Sequence, residues 1–321
     1  MKILLLGGTA FLGRAITNEA IVRNHQVTCL ARGSRPVPAG ATLIRADRDQ
    51  DEALTDVPDQ IWDAVIDLTR QPVHARRAVR DLSTRHWVYV SSSSVYARND
   101  VPGRKESAER LSPLAEDFMS EANQYGPAKV ACESAYRDHS SSHTIVRSGL
   151  IGGAGDHSGR SGYYPWRFAH PTGDDVLVPD PSFPLSLIDA ADLAGWIISC
   201  AERRHRGTFN AAGPTTTLSE VLRLSREISH SPATVRVVGS SALADAGVIA
   251  WMGPKSLPLW VDEESWRYVA TLDTTAARAH GLRSRPLRET LRAALDYEEK
   301  RSGVRPAGLS DDDERTLRQR L

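Results

Sequence analysis

Apolar and polar positions follow two rhythms through the first half of the chain. Lys2 to Leu6 carries a continuous apolar run, which predicts a strand buried on both faces. Phe11, Leu12, Ala15 and Ile16 then recur at helical spacing. Further short apolar runs predict strands at Gln26–Leu30, Thr42–Arg45, Ala64–Asp67 and His86–Val90. Pro72 to Leu82 has a helical pattern with proline at its start. Strands that alternate with helices imply a parallel sheet, with ligands at the carboxyl ends of its strands.

The turn after the first strand sharpens this. Gly7-Gly8-Thr9-Ala10-Phe11-Leu12-Gly13 joins strand to helix. Gly7 permits the tight turn, the small Ala10 lets the backbone approach a pyrophosphate, and Gly13 lets helix and strand meet closely. Such an opening belongs to dinucleotide binding, and the fold class expected is α/β, a Rossmann doubly wound parallel sheet, to which the resemblance given below adds a smaller C-terminal substrate lobe. An acid about 20 residues beyond the turn marks NAD. Here Arg32 holds that place with Arg35 nearby, which favours the 2′-phosphate of NADP, NAD being the alternative. Asp47 ends the third strand, where it suits the adenine amine or caps the next helix. Leu68 follows the fourth strand at the cofactor crevice.

Composition removes several function classes. The 321 residues include 40 Lys and Arg against 40 Asp and Glu, so nothing electrostatic favours nucleic acid or an anionic membrane as partner. Cys29, Cys132 and Cys200 are isolated, show no metal-ligand spacing and read as reduced packing residues. The first apolar run is too short for a signal peptide, and no run approaches membrane-spanning length. The expectation is a cytoplasmic protein with a small-molecule substrate and no metal.

The fifth strand runs into Ser91-Ser92-Ser93-Ser94-Val95-Tyr96, which places hydroxyls at a strand end. Residues 98–123 are charged and contain Pro and Gly, as a surface excursion would. Tyr125 and Lys129 then share one face of a helix. A free tyrosine, with a pKa of about 10, is a poor proton donor-acceptor at neutral pH unless a cation stabilises its phenolate. Lys129 supplies such a cation. Tyr163, Tyr164, Trp166 and Phe168 form an aromatic cluster that either walls a pocket or fills the core of the second lobe; Trp251 and Trp260 belong to another. His157 and Arg160 lie in the loop after Asp156, where they either meet a polar substrate or are simply solvated.

Taken in order, these segments resemble the extended short-chain dehydrogenase/reductase family, the NAD-dependent epimerases, dehydratases and reductases. The Gly turn, Ser91 to Tyr96, Tyr125 with Lys129, Ile145 to Asp156, Leu187 to Ala194, and Gly207 to Asn210 carry the resemblance. It implies a Rossmann domain over 1–152 with later contributions from about 186–212, a mainly helical substrate lobe over 153–300, and a polar tail over 301–321 with a short helix capped by Ser310. It implies Tyr125 as general acid/base, Lys129 on the nicotinamide ribose, and Ser92 on the substrate oxygen. Gly7, Thr9, Ala10, Phe11, Leu12, Gly13, Arg32, Arg35, Asp47, Leu68, Ser91 and Lys129 are the expected cofactor residues. Ser93, Tyr163 and Trp166 are the expected substrate residues, and a homodimer through the Tyr125 helix is the implied assembly. Arg147 is followed by Ser148-Gly149-Leu150 and not by the asparagine of nucleotide-sugar members, and no acid follows Ser92 as in dehydratases. The activity expected is therefore NAD(P)-dependent reduction of a carbonyl or oxidation of a carbinol. A sugar epimerase is the alternative, and a non-catalytic nucleotide-sensing or RNA-binding protein on the same fold is the second.

Overall fold

A computed structural model describes residues 1–140 and 142–321. Its centre is a seven-stranded sheet built from β1 (Lys2–Leu6), β2 (Gln26–Ala31), β3 (Thr42–Arg45), β4 (Ala64–Asp67), β5 (Trp87–Ser92), β6 (His143–Ser148) and β7 (Gly207–Ala211). The order is β7-β6-β5-β4-β1-β2-β3, and every neighbouring pair is parallel. The order reverses between β1 and β4, which is where an open α/β sheet presents its ligand crevice. Because β1 is central, Ile3, Leu4 and Leu5 are wholly buried, as their continuous apolar run requires.

Helices cover both faces. On one, α1 (Phe11–Val22) contributes Ile16 and Ala20 to a core shared with Leu193, Trp196 and Ile197. On the other, α2 (Pro72–Asp81) and α3 (Tyr125–His139) bring Ala75, Ala78, Cys132 and Tyr136 against β4, β5 and β6. All three cysteines are buried free thiols, and burial pushes Cys132 up to about 11.

The second lobe mixes short strands with helices where a mainly helical one was expected. Pro184–Asp189 does not join the main sheet; it pairs with Leu150–Gly152 and Thr215–Thr217 in a small sheet of its own. The chain then returns to the first domain through α5 (Ala190–Arg203, preceded in sequence by α4, Tyr163–Ala169) and β7. The C-terminal stretch is built into the lobe. Ala307–Gly308 pairs with Gly253–Pro254, Ser310 caps the helix Asp311–Arg318, and the wholly buried Arg167 meets Glu314 at 2.9 Å. Residues 98–123 are not only a surface excursion. Arg104, 4% exposed, donates to the carbonyls of Tyr268, Val269 and Thr271 and lies over the Tyr96 ring, which ties that segment to the second lobe.

Candidate active site

The glycine turn has the geometry its residues suggest. Gly7 takes φ +107°, open to glycine. A Cβ on Gly13 would lie 2.2 Å from the Gly7 carbonyl oxygen, so only glycine lets α1 sit this close to the turn. Ala10 is the N-cap of α1 and offers no side-chain hydrogen bond, which leaves the first amides of the helix free to receive an anion. Leu68 lies beside Gly7, its Cβ 3.7 Å from where a Cβ there would stand, and its amide donates to Leu6 O. Thr9, Phe11 and Leu12 complete the turn and the first residues of α1.

Arg32 and Arg35 are exposed beyond the end of β2. A third arginine, which the sequence pattern does not single out, joins them. Arg45 ends β3 opposite Ala31, and its guanidinium lies against Gly33. Its signal is the pairing register, which one sequence does not show. Asp47 is exposed and accepts from the Asp49 amide at 3.2 Å, so its observed role is the turn and not a helix cap. Its neighbour in the chain is more deeply engaged. Arg48 forms a two-pronged pair with the buried Asp67, at 2.7 and 2.8 Å. Burial would raise the Asp67 carboxyl, but Arg48, Tyr136 and the Thr69 amide together hold it below the usual range.

α3 carries Tyr125 at its first residue and Lys129 one turn on. A Cβ on Gly126 would stand 2.4 Å from Ser94 O, so glycine there lets the start of α3 close on the serine turn. Tyr125 is half-buried and Lys129 is 3% exposed. The Lys129 ammonium donates to the carbonyls of Thr69 at 2.7 Å and Val90 at 2.6 Å, and lies 4.6 Å above the Tyr89 ring. Those two carbonyls come from the ends of β4 and β5, so the cation is fixed at the crevice.

The serines divide their labour. Ser92 Oγ accepts from the Ser94 amide and donates to Ser94 Oγ, both at 3.1 Å, as the cap of a short 3-10 turn over Ser93–Val95. Ser92 and the half-buried Ser93 and Ser94 thus stand beside the start of α3. Ser91 does not face the cofactor crevice with its side chain. Its hydroxyl donates to Glu133 at 2.7 Å, because alternation along β5 turns it the other way from Ser92. Glu133 in turn holds Arg147 at 2.8 and 2.9 Å. Arg147 donates to Tyr96 OH, which donates to Asn210.

The expected substrate residues of the second lobe do not reach this site. Tyr163 is wholly buried with Tyr164 and Phe168 in the lobe's core, and a Cβ on Gly308 would strike its ring at 2.1 Å. Trp166 faces the C-terminal stretch, with the guanidinium groups of Arg305 and Arg167 over its ring. Packing of the tail, invisible to local pattern, claims both. Two formed cavities, of about 310 Å³ near Phe183 and Trp260 and about 460 Å³ near Leu54 and Trp62, share no residue with Tyr125, Lys129 or the serine turn. No group of three or more His, Cys, Asp or Glu among the described residues is placed to hold a metal ion.

A parallel sheet with a glycine turn at its switch point, and a tyrosine-lysine helix beside a serine-ended strand, define an α/β protein of the Rossmann class with one candidate site at its crevice. Residues 3–82 match the family model described as NAD dependent epimerase/dehydratase family, which agrees with the resemblance over the stretch that holds the glycine turn. Over 71 residues, 21% of this chain, it is 39% identical to the photosystem II assembly factor Ycf39 of Synechocystis sp., of which it covers 22%. Over 233 residues it is 22% identical to the chloroplast stem-loop binding protein of 41 kDa b of Arabidopsis thaliana, with 66% of this chain and 58% of that protein covered. The chain thus spans well under two thirds of the length of either relative. Among solved structures, the UDP-glucose 4-epimerase of Thermus thermophilus in complex with NAD aligns with a TM-score of 0.65 at 17% identity, covering 94% of this chain and 99% of that one. The Rossmann fold expected from the sequence is therefore the fold observed.

Proposed function

We propose that this chain is an NADP-dependent oxidoreductase acting at a carbonyl or carbinol carbon of a small molecule, in a cytoplasmic setting. The observation that carries the reading is the Lys129 ammonium, buried at the crevice on the carbonyls of Thr69 and Val90, one helical turn from Tyr125. A buried cation is costly unless its site compensates it, and two carbonyls leave its charge only partly answered. On this reading the Tyr125 phenol, one turn before Lys129 on the same helix face, gives or takes a proton at the substrate oxygen. Ser92 donates to the same oxygen once its hydroxyl turns from Ser94 Oγ. The residues of the glycine turn fit a dinucleotide: free amides at the start of α1, no bulky side chain to block the pyrophosphate at Gly7 and Ala10, and Arg32, Arg35 and Arg45 for a 2′-phosphate. When bound, the nicotinamide supplies or accepts the hydride.

Exchange of Tyr125→Phe keeps the ring and removes the proton. Turnover on a reactive carbonyl found by screening should fall by about 10²–10⁴ while NADPH affinity stays at the wild-type level. Wild-type turnover in that variant would overturn the assignment.

The second reading, a sugar epimerase that returns the hydride to its own substrate, is supported by the structural likeness to the NAD-bound UDP-glucose 4-epimerase. An epimerase purifies with its cofactor and shows no net cofactor turnover, which separates the two. The non-catalytic RNA-binding reading draws on the name of the stem-loop binding relative. Balanced charge and the complete serine, tyrosine and lysine set weigh against it; a salt-dependent shift of RNA by the chain would favour it.

A further inference from the structure

The loop from Gly153 to Gly162 lies where the two lobes meet. A Cβ on Gly155 would stand 3.3 Å from the Phe11 ring, and the His157 ring meets Phe11 edge-on at 6.1 Å. The loop therefore rests on the first residue of α1, beside the glycine turn. It is held from within by Asp156, 4% exposed. One of its carboxylate oxygens accepts from Ser158 N and Oγ, and the other from Ser161 N and Oγ. From outside, Arg301 donates to the Asp156 carbonyl at 2.9 Å.

This rigid loop presents Arg160. Its Nε donates to Ser158 Oγ at 3.2 Å, and its guanidinium lies 5.2 Å above the Trp251 ring. Burial disfavours its charge, which Asp156 restores only in part. The arginines of the core are answered, Arg147 by Glu133, Arg167 by Glu314 and Arg104 by Asn99 and several carbonyls, and Arg48, half-buried like Arg160, is answered by Asp67. Arg160 differs. Among the described residues no carboxylate forms an ion pair with it, and no protein acceptor takes a hydrogen bond from either Nη. Asp156 is already committed to four hydrogen bonds.

Its platform is constrained as well. Trp251 takes φ +74° at the centre of a tight turn closed by Met252 N on Ala250 O at 2.9 Å. A bulky side chain adopts that region only where its surroundings hold it, and such positions gather at ligand sites. The turn is joined to the tail, since Gly253–Pro254 pairs with Ala307–Gly308.

We propose that Arg160, seated on Trp251 in the loop that rests on Phe11 beside the glycine turn, binds an anionic group of the substrate, a carboxylate or a phosphate. The substrate class is then a small carbonyl or carbinol compound bearing such a group. This rests on the reading of Tyr125 as the reacting end of the cleft. The anion would complete a guanidinium whose donor edge the protein leaves open, and a two-oxygen acceptor matches that edge.

The test is calorimetric titration of the full chain with D-glucose, D-glucuronate and D-glucose 6-phosphate, one skeleton with no anion, a carboxylate or a phosphate. Each is run without cofactor and with saturating NADP. At least one anion should bind about tenfold to a hundredfold more tightly than glucose. Which anion wins identifies the group. Arg160→Gln should erase the difference, and Arg160→Lys, which keeps charge but not the fork, should retain part of it. Equal binding of all three probes, no binding of either anion, or an anion preference that survives Arg160→Gln would overturn the proposal. So would a loss of NADP affinity in Arg160→Gln, which would assign the arginine to the cofactor. Failure of wild-type protein to bind NADP would instead refute the oxidoreductase reading, and the titrations without cofactor would still judge Arg160.

Discussion

At the scale of the residue, small side chains locate the site as firmly as reactive ones. Gly126 follows Tyr125, and a methyl group there would meet both Ser94 O at 2.4 Å and the Leu111 side chain at 2.6 Å. An unhindered glycine in a helix stabilises the fold by about 1 kcal/mol when changed to alanine. Here Gly126→Ala should destabilise by about 1–3 kcal/mol, since the clash is with backbone and α3 must move off the serine turn. Denaturant unfolding measures it, and a gain in stability would show that the approach is not tight. Gly7, Gly13, Tyr125 and Lys129 were legible because each needs only local chemistry. The four consecutive serines fixed a place but not a division of roles. Only the strand's alternation assigns Ser91 to Glu133 and leaves Ser92 to Ser94 beside α3. Arg45 was not legible, because its place against Gly33 depends on the pairing register of β3, and Arg160 showed only as a loop charge.

At the scale of the element, α3 is tied to β5 and β6 by charge as well as by packing. Glu133 on α3 and Arg147 on β6 are both buried and joined by two hydrogen bonds, with Ser91 of β5 as a third member. Burial would raise the Glu133 carboxyl, but Arg147, Ser91 and Arg137 hold it below its ordinary value. A depressed carboxyl contributes stability above its unfolded pKa, and that contribution is lost as pH falls through the folded one. Glu133→Gln leaves a buried guanidinium without its counter-charge and should cost about 3–5 kcal/mol. Denaturation at neutral pH reads this directly; stability equal to wild type would mean that the pair holds nothing. The sequence placed Tyr125 and Lys129 on one helix, while the strand from Ile145 came only with the family resemblance. It did not reveal the pair, because residues 14 apart in sequence meet here only through the return of β6 beside β5.

At the scale of the whole molecule, the sheet and its switch point were legible, while the second lobe was not. Alternating strand and helix signals lead to one topology, but the small lobe is assembled from distant pieces. Its core joins Tyr163, Leu257 and Leu317, and the C-terminal helix belongs to it through Arg167. Far from the crevice, at the opposite end of the sheet, His86 is wholly buried between Ser142 and Thr144. Thr144 donates to His205 O, so it accepts from His86 Nε2, and the neutral ring is satisfied. Burial, then His143, Arg204, Arg206 and His205, push His86 down to about 4. The unfolded chain therefore binds a proton below about 6.5 that the folded chain refuses. Stability should fall by about 2 kcal/mol between about pH 6.5 and about pH 5 on this account alone. Unfolding curves for wild type and His86→Gln check the sign, and equal pH slopes would remove His86 as the cause. The central claim concerns the crevice, and cofactor titration tests it most directly. Calorimetry with NADPH and NADH should show saturable binding of both near one per chain, NADPH the tighter, with the preference lost in Arg32→Asp. Absence of binding by either nucleotide would contradict the account, and equal affinities would contradict its assignment of NADP.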